Sequence, residues 1–555
     1  MDQHPVSERV QCLPICVTMH DYFDKMAKKS PDQDACVVYH SQDDRQSLTF
    51  SGLRYRSLNL AKHLISKGIG KGDIIGLLST NCTEFFVAFL ALSRIGAPIL
   101  LLRYGSTAAE VCMLLTKNNS RGLLGSAHCE KDVTIVNTIK TLMVDKRKNS
   151  AEKRPFMVMG MGPRDNEVHV SGKAKISDHL SQVNIPDVGL DDDCVIFFTS
   201  GSSGEPKPIP CSHRTLIART RSWGEFAFSG PDTAGTRFFN DRPLAWTGGF
   251  HMILNMCVFG VCSVTMTTDF VMHRGAIEFV MAILNEEKCT HAFLMNYQLV
   301  DLMHRGDTCL PLCYLKYVVT VGQKTDRLAI EHVLVSFPGI SFLYHYGLSE
   351  NGFAMYQRHT DTTTLHDDGF SIHDGIEIKL IDSGGETVET GSPGEICIRS
   401  EALFRGYLGC PSANERTFLP GGWFRTGDIA LSRTDGKVVL LGRSDDMIKR
   451  AGVKVFPMEV EKVLRQHPCI KEVVVVGVPD ERLFEDLCAC VIPRDSNLFD
   501  VSSFSHWCQE RFSIGPDGRS LAPSYTLEFD EYPRTDNGKT SRKRLKEIAT
   551  LRLQK

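Results

Sequence analysis

The chain has 555 residues, 42% of them hydrophobic and 23% charged, which is ordinary for a globular protein and too long for one small core. A formal net charge of −3 excludes a global attraction to nucleic acid or to an anionic membrane surface. Nineteen cysteines are scattered without a CxxC pair or a Cys/His run at metal spacing, which argues for free thiols in a reducing compartment and against a structural zinc site.

The start, MDQHPVSERV, lacks the basic residues and apolar core of a secretory signal, and the final LRLQK matches no retention or peroxisomal signal. The cytosol is the expected compartment. The first 45 residues read as polar, with one helix around His20 to Ala27. A helical period follows from Ser51 (Leu53, Leu60, Leu64) and stops at Gly68 and Gly70. Ile74 to Leu78 reads as a strand, Glu84 to Ile95 as a helix, and Ala97 to Leu102 as another strand. This alternation predicts a parallel or mixed α/β sheet. The apolar windows 85–102 and 250–266 are broken by Arg94 and Gly96 and by His251 and Asn255, so neither is expected to span a membrane. Residues 145–192 are charged and rich in Pro and Gly, and read as a surface excursion.

The next stretch, DCVIFFTSGSSGEPKPIPCSH, is the most informative in the chain. An apolar run from Cys194 to Phe198 predicts a buried strand, and Ser212 is suited to cap a helix beginning near His213. Between them stand Thr199, Ser200, Gly201, Ser202, Ser203, Gly204, Glu205, Pro206 and Lys207. Small residues let backbone N–H groups approach an anion, hydroxyls add donors, and the lysine adds a movable positive charge. That combination suits a polyphosphate. It is not a Walker P-loop: five residues after Gly201 stands Pro206, and Gly538-Lys539-Thr540 is preceded by Pro533 where that motif needs glycine.

Arg242-Pro-Leu-Ala-Trp-Thr-Gly-Gly-Phe250 reads as a turn leading into apolar sequence. Leu315 to Val321 is a predicted strand ending at Gly322. Another, Ile340 to Leu343, runs into His345-Tyr-Gly-Leu-Ser-Glu350. There Tyr346 can stack on a base, Gly347 lets a ligand near the backbone, and the Glu350 carboxylate can hold Mg²⁺. Short strands separated by turns mark a β-rich stretch from Gly375 to Leu408. Asp428 lies in a Gly-Asp turn suited to ribose hydroxyls, Thr434-Asp-Gly436 is a hairpin turn, and Arg443 follows the second strand. A lone arginine of this kind more often makes a surface salt bridge. Pro457 opens a helix ended before Pro468, Val473 to Val478 is a strand, and Lys539 stands on a Gly-Lys turn near the end.

Separately these signals are weak, but their types and order resemble the adenylate-forming acyl-CoA synthetase family, which includes 4-coumarate–CoA ligases and beetle luciferases. FTSGSSGEPK, YGLSE, WFRTGD, GRSDDMIKRAG with VFPMEVE, and NGK carry the resemblance, which extends from about Gly72 to Leu545. It implies an α/β fold with a large N-terminal domain of two α/β sheets plus a β-barrel subdomain over 1–443. A small mobile α+β C-terminal domain would follow over 444–555. It also implies ATP, Mg²⁺ and CoA, with a carboxylic acid converted to acyl-AMP and then to a thioester. No protein nucleophile is required, so positioning and charge neutralisation carry the catalysis.

On this resemblance the Thr199 to Lys207 loop holds the β- and γ-phosphates, Tyr346 lies against adenine, and Ser349 contacts the α-phosphate region. Glu350 binds Mg²⁺, Asp428 and Arg443 take the ribose, and Lys539 reaches the reacting carboxylate. Asp445 is the hinge between the two steps and Gly452 faces the CoA tunnel. Trp246, Phe250, Gly322 and Asn351 line the acid pocket, which suggests an apolar acid, fatty or aromatic. Four positions depart from the family pattern: Pro208 for a glycine, Trp246 for a histidine, Val321 for the first of two glycines, and Phe484 for a glycine before a glutamate. The acceptor stays open between CoA, a carrier-protein thiol, an amine and oxygen. A non-catalytic nucleotide- or acyl-binding relative is the alternative from another class.

Overall fold

The computed structural model describes residues 18–148, 156–162, 182–199, 206–228, 235–268, 277–305, 312–322, 325, 327–451, 453–512, 520–535 and 540–554. Ser200, Gly201, Ser202, Ser203, Gly204, Gly452 and Lys539 lie outside the described residues. The chain divides into two compact units. The first comprises Met1–Asp367, His373–Ile376 and Ser400–Asn414, and the second Asp368–Ile372, Glu377–Arg399 and Glu415–Lys555.

In the first unit, one sheet runs in the order Met157–Met161, Gly122–Ser126, Ile75–Leu78, Ile99–Leu102, Asp193–Phe198, Pro208–Ser212. All its pairings are parallel except the last, which is antiparallel. The final strand contains Pro208 and Pro210, which cannot donate to a ladder, and it accordingly forms the sheet edge. A second sheet passes from Gly352–His359 through Ser341–Leu348, Tyr317–Val321, His291–Phe293, Arg237–Asn240, Cys262–Met266 and Asp34–Tyr39 to Arg45–Thr49. It is parallel through its centre, and Ser341–Leu348/Gly352–His359 and Asp34–Tyr39/Arg45–Thr49 pair antiparallel.

The expected helices form at Met19–Lys29, Phe50–Ser66 and Thr83–Ile95. Thr18 and Thr49 cap the first two, each hydroxyl accepting from a backbone N–H, a device whose loss costs about 1 kcal/mol. Every residue of Thr83–Ile95 except Glu84 is buried. Even Arg94 is inside, donating to both carboxylate oxygens of Asp24 at 2.9 and 2.6 Å. Several strands have no counterpart in the expectations from sequence, and two of them fall where another structure was expected. Asp34–Tyr39 falls in the stretch read as polar, because its apolar run is too short to show a period. Met157–Met161 falls in the presumed surface excursion and is an edge strand of the first sheet.

In the second unit, the β-rich stretch forms a five-stranded sheet of Ile376–Ile381, Pro393–Ser400, Trp423–Ser432 and Phe418–Leu419, with Val438–Arg443 also paired to Trp423–Ser432. The C-terminal sheet is ordered Val453–Val455, Ile448–Arg450, Phe484–Pro493, Ile470–Asp480, and Tyr525–Glu528 pairs with Phe484–Pro493. Its valine run is apolar on both faces. Val473 and Val475 pack with Val460, Leu464 and Phe504, whereas Val474, Val476 and Val478 pack with Leu545 and Ala549. Helices Pro457–Leu464 and Val501–Arg511 thus cover one face and Arg542–Leu553 the other, which is why a continuous run replaces alternation. Among the described residues no helix is long and apolar enough to cross a membrane.

Candidate active site

The phosphate-loop candidate is the connection of a β-hairpin. Phe198 stands opposite Pro208 across the Asp193–Phe198/Pro208–Ser212 pair. The Thr199 N–H donates to the Lys207 carbonyl at 3.0 Å, and the Lys207 N–H donates to Thr199 Oγ1 at 3.0 Å. The second bond uses a lone pair of the hydroxyl, not its hydrogen. Ser212 caps helix His213–Ala227 as the sequence predicts, accepting from the Thr215 N–H. Pro208 therefore enters an edge strand at a position where its missing N–H breaks no pairing with an outer strand.

Lys207 and Glu350 are brought together through a residue the sequence reading did not single out. The Lys207 ammonium lies 5.0 Å from the centroid of the Tyr407 ring, and Tyr407 Oη donates to Glu350 Oε1 at 2.7 Å. The tyrosine thus offers its face to the cation and its hydroxyl to the carboxylate. A second missed residue, Arg219, is buried and fixes the Glu350 backbone. Its Nη2 donates to the Glu350 carbonyl at 2.7 Å and its Nε to the Ala402 carbonyl at 3.0 Å, while the Phe404 N–H donates to the Glu350 carbonyl at 2.9 Å. A charge among the buried Thr215, Leu216 and Thr220 of its helix is the signal that marks it.

Tyr346, Gly347, Ser349 and Glu350 occupy the end of strand Ser341–Leu348 and the turn into Gly352–His359. The register shifts between Tyr346 and Gly347, a bulge of the kind that re-aims side chains beside active sites. Gly347 is required there: a Cβ on it would stand 2.8 Å from the Gly352 carbonyl oxygen. Asn351 is fully buried, with its Oδ1 accepting from Ser400 Oγ at 2.6 Å and its Nδ2 without a partner among the described residues. Ser400 thus fixes the orientation of the Asn351 amide.

The other pocket candidates are distributed differently. Phe250 is fully buried and meets Phe89 and Phe197 edge-on at 5.2 and 5.3 Å. Trp246 is half-buried and precedes helix Thr247–Phe259 without a side-chain cap, as an indole with no acceptor must. Gly322 follows strand Tyr317–Val321 with φ of 92°.

In the second unit, Asp428 and Arg443 are directly opposite in the antiparallel pair Trp423–Ser432/Val438–Arg443. Arg443 Nη1 donates to Asp428 Oδ1 at 3.1 Å and to the Thr426 carbonyl at 3.0 Å. The expected Thr434-Asp-Gly436 turn closes this pair, with the Arg433 N–H donating to the Lys437 carbonyl. Asp445 is exposed on a single 3₁₀ turn. Its neighbour Asp446 is raised above the usual carboxylate range by burial, against the pull of Arg542 and Arg443. Arg542, from the basic run near the C-terminus, is tied inward: it donates to the Val475 carbonyl and to the buried Glu461 at 2.7 Å.

Residues 23–408 match the AMP-binding enzyme family, and residues 459–539 match the AMP-binding enzyme C-terminal domain. The chain belongs to this family. It is 26% identical over 517 residues to chalcone synthase cfoA of Aspergillus candidus, covering 89% of this chain but only 18% of that protein. It is 27% identical over 558 residues to the medium-chain fatty-acid–CoA ligase of Escherichia coli, covering 97% and 91% of the two chains. Its fold matches that of the Bacillus subtilis o-succinylbenzoate–CoA synthetase MenE solved with ATP and magnesium, with TM-score 0.75, 20% identity and coverage of 95% and 99%.

Proposed function

We propose that this protein joins a carboxylic acid to ATP, releasing pyrophosphate and forming acyl-AMP, and then transfers the acyl group to the thiol of CoA with release of AMP. The observation that carries the proposal is the Lys207–Tyr407–Glu350 arrangement, which holds a phosphate-seeking cation and a cation-seeking carboxylate against one ring. Glu350 is a hard oxygen donor with lone pairs beyond the one accepting from Tyr407, so the site fits Mg²⁺. When bound, the ion supplies charge neutralisation at the phosphates.

The remaining roles rest on the motif positions. Thr199 to Gly204 and Lys207 hold the β- and γ-phosphates, Tyr346 and Gly347 meet the adenine, and Ser349 the α-phosphate. Asp428 accepts from ribose hydroxyls while Arg443 keeps it ionised and oriented, as their direct bond supports. Lys539 neutralises the charge that builds on the carboxylate and α-phosphate during adenylation. Asp445 is the hinge and Gly452 faces CoA. We place the functional boundary at 443/444, which falls between the two family matches. The acid is apolar, fatty or aromatic, in keeping with the Escherichia coli relative's name and with Trp246 at the pocket. All sixteen cysteines among the described residues are free, which supports a reducing compartment such as the cytosol.

The test is acid-dependent pyrophosphate release from Mg-ATP across fatty and aromatic acids, with and without CoA, beside Lys539→Ala. Release that requires an acid, falls by roughly 10² or more in the variant and rises with CoA is expected. ATP binding without release across the panel would leave a nucleotide-binding relative.

A further inference from the structure

The fold collects four chemistry-bearing side chains away from every residue assigned above. Cys82, Glu84 and His128 place a sulfur, a carboxylate oxygen and a ring nitrogen all within 4.8 Å of one another. Cys82 is the N-cap of helix Thr83–Ile95, Glu84 lies in its first turn, and His128 follows strand Gly122–Ser126. His40, directly after strand Asp34–Tyr39, stacks on His128 with ring centroids 5.2 Å apart. Its Nε2 is buried and has no hydrogen-bond partner among the described residues. Residues 40, 82, 84 and 128 have no metal spacing along the chain, which is why the sequence argued against zinc. The parallel topology brings them together by ending their strands near one place.

We propose that Cys82, Glu84 and His128 bind a zinc-class divalent cation, with water completing its shell and the His40 ring stacked behind His128. The donor set is the borderline-soft mixture of thiolate, imidazole and carboxylate that Zn²⁺ favours, and Mg²⁺ and Ca²⁺ do not use thiolate. Tetrahedral zinc holds such atoms roughly 3.3–3.7 Å apart, which the present spacing, all within 4.8 Å with the His128–Glu84 pair at 3.1 Å, reaches with small side-chain shifts. Without an ion the same groups are held by the His128 Nε2–Glu84 Oε2 contact at 3.1 Å and by Cys82 Sγ against Ser79 Oγ at 3.3 Å. Ser79 and Thr83, whose hydroxyl donates to Glu84 Oε2 at 3.2 Å, become supporting partners that orient the ligands.

Charge balance favours the site. A helix N-terminus repels a bare cation, but Zn²⁺ with one thiolate and one carboxylate is neutral, so the dipole of Thr83–Ile95 imposes no net penalty. The thiol is fully buried and Glu84 and His128 are nearly so, with side-chain exposures of 13% and 14%, so an ion here is sheltered from water. Since the ligands come from the start of helix Thr83–Ile95 and from the end of strand Gly122–Ser126, a bound ion pins these two elements together and raises thermal stability in proportion to its binding.

The experiment uses the full chain, stripped with a chelator under reducing conditions, gel-filtered after Zn²⁺ or Co²⁺ addition, and assayed for retained metal, cobalt spectrum and unfolding midpoint. One zinc per chain, a cobalt–thiolate charge-transfer band and a raised midpoint are expected. Cys82→Ser and His128→Gln should each remove the band and weaken zinc binding roughly a hundredfold. Cys313→Ser, which alters an exposed thiol, should change nothing. Should Cys82→Ser fail to fold, Glu84→Gln with His128→Gln carries the same test. Failure to retain metal, or a band that survives His128→Gln and Glu84→Gln, overturns the proposal. Neither result bears on pyrophosphate release, so this site and the adenylation reading stand or fall separately.

Discussion

The two groups of site residues are built in opposite ways. Around Glu350 the partners come from far along the chain: Tyr407 is 57 residues away and Arg219 is 131. Asp428 and Arg443 are 15 residues apart, and strand register alone sets them face to face. The first group is embedded, with Arg219 buried and donating to two backbone carbonyls. The second is open, since the Arg443 side chain is 42% exposed. Embedded geometry ties function to stability, whereas a hairpin pair can be altered without disturbing the fold.

Arg219→Met should separate the groups most clearly. It removes the Ala402 carbonyl's buried side-chain donor and one of the two donors to the Glu350 carbonyl, at a cost of about 3 kcal/mol in unfolding free energy. Pyrophosphate release should fall roughly a hundredfold even in protein that remains folded, because Glu350 loses the side-chain half of its anchor and keeps only the Phe404 N–H. Urea titration beside the release assay reads both, and a variant with normal stability would contradict the anchoring role.

Arg443→Ala breaks the other group. The KM for ATP should rise by about thirtyfold, with unfolding free energy unchanged within about 0.5 kcal/mol, because an ion pair this exposed contributes little to folding. A loss of stability comparable to that of Arg219→Met would show that the hairpin pair is not independent of its sheet.

Tyr407→Phe sharpens the first group by keeping the ring over Lys207 while removing only the hydroxyl bond to Glu350. One charge-assisted hydrogen bond at this depth predicts about a tenfold fall in turnover. The effect should appear as a raised Mg²⁺ requirement at fixed ATP. An unchanged magnesium dependence would mean that the hydroxyl does not orient the carboxylate.

The same contrast explains what the sequence made legible. Helices Phe50–Ser66 and Thr83–Ile95 and the strand and loop over Cys194 to Lys207 are legible in their residue types, whereas the strand Pro208–Ser212 that follows is not. Asp428 and Arg443 are readable as individual residues, and the Asp-Gly turn between them shows that they share a hairpin. Tyr407 and Arg219 are invisible as partners of Glu350, because only the packing of distant segments joins them. Phe250 and Asn351 are legible as residues, but the aromatic partners of one and the Ser400 bond of the other come from distant segments. Local chemistry can be read directly; which of two apolar neighbours faces a ligand depends on packing that no short window contains.

Phe484 tests that conclusion where local and global demands conflict. It stands where the family resemblance leads one to expect a glycine, and its backbone adopts the left-handed conformation that glycine favours, at φ 72°. The position is fixed from both sides: the Ala451 N–H donates to the Leu483 carbonyl, and Phe484 pairs with both Asp480 and Arg450. Its ring lies outside the core, with 73% of the residue exposed, so no burial compensates the strain. Phe484→Gly should therefore stabilise the second unit by about 1 kcal/mol, the left-handed penalty less glycine's greater freedom in the unfolded chain. Phe484→Ala removes the same exposed ring but retains a Cβ at positive φ, so it should gain less than half as much. Equal gains from the two variants in thermal unfolding would trace the effect to lost apolar surface. A gain confined to glycine would show that this hairpin is held by its register against the preference of its own residue.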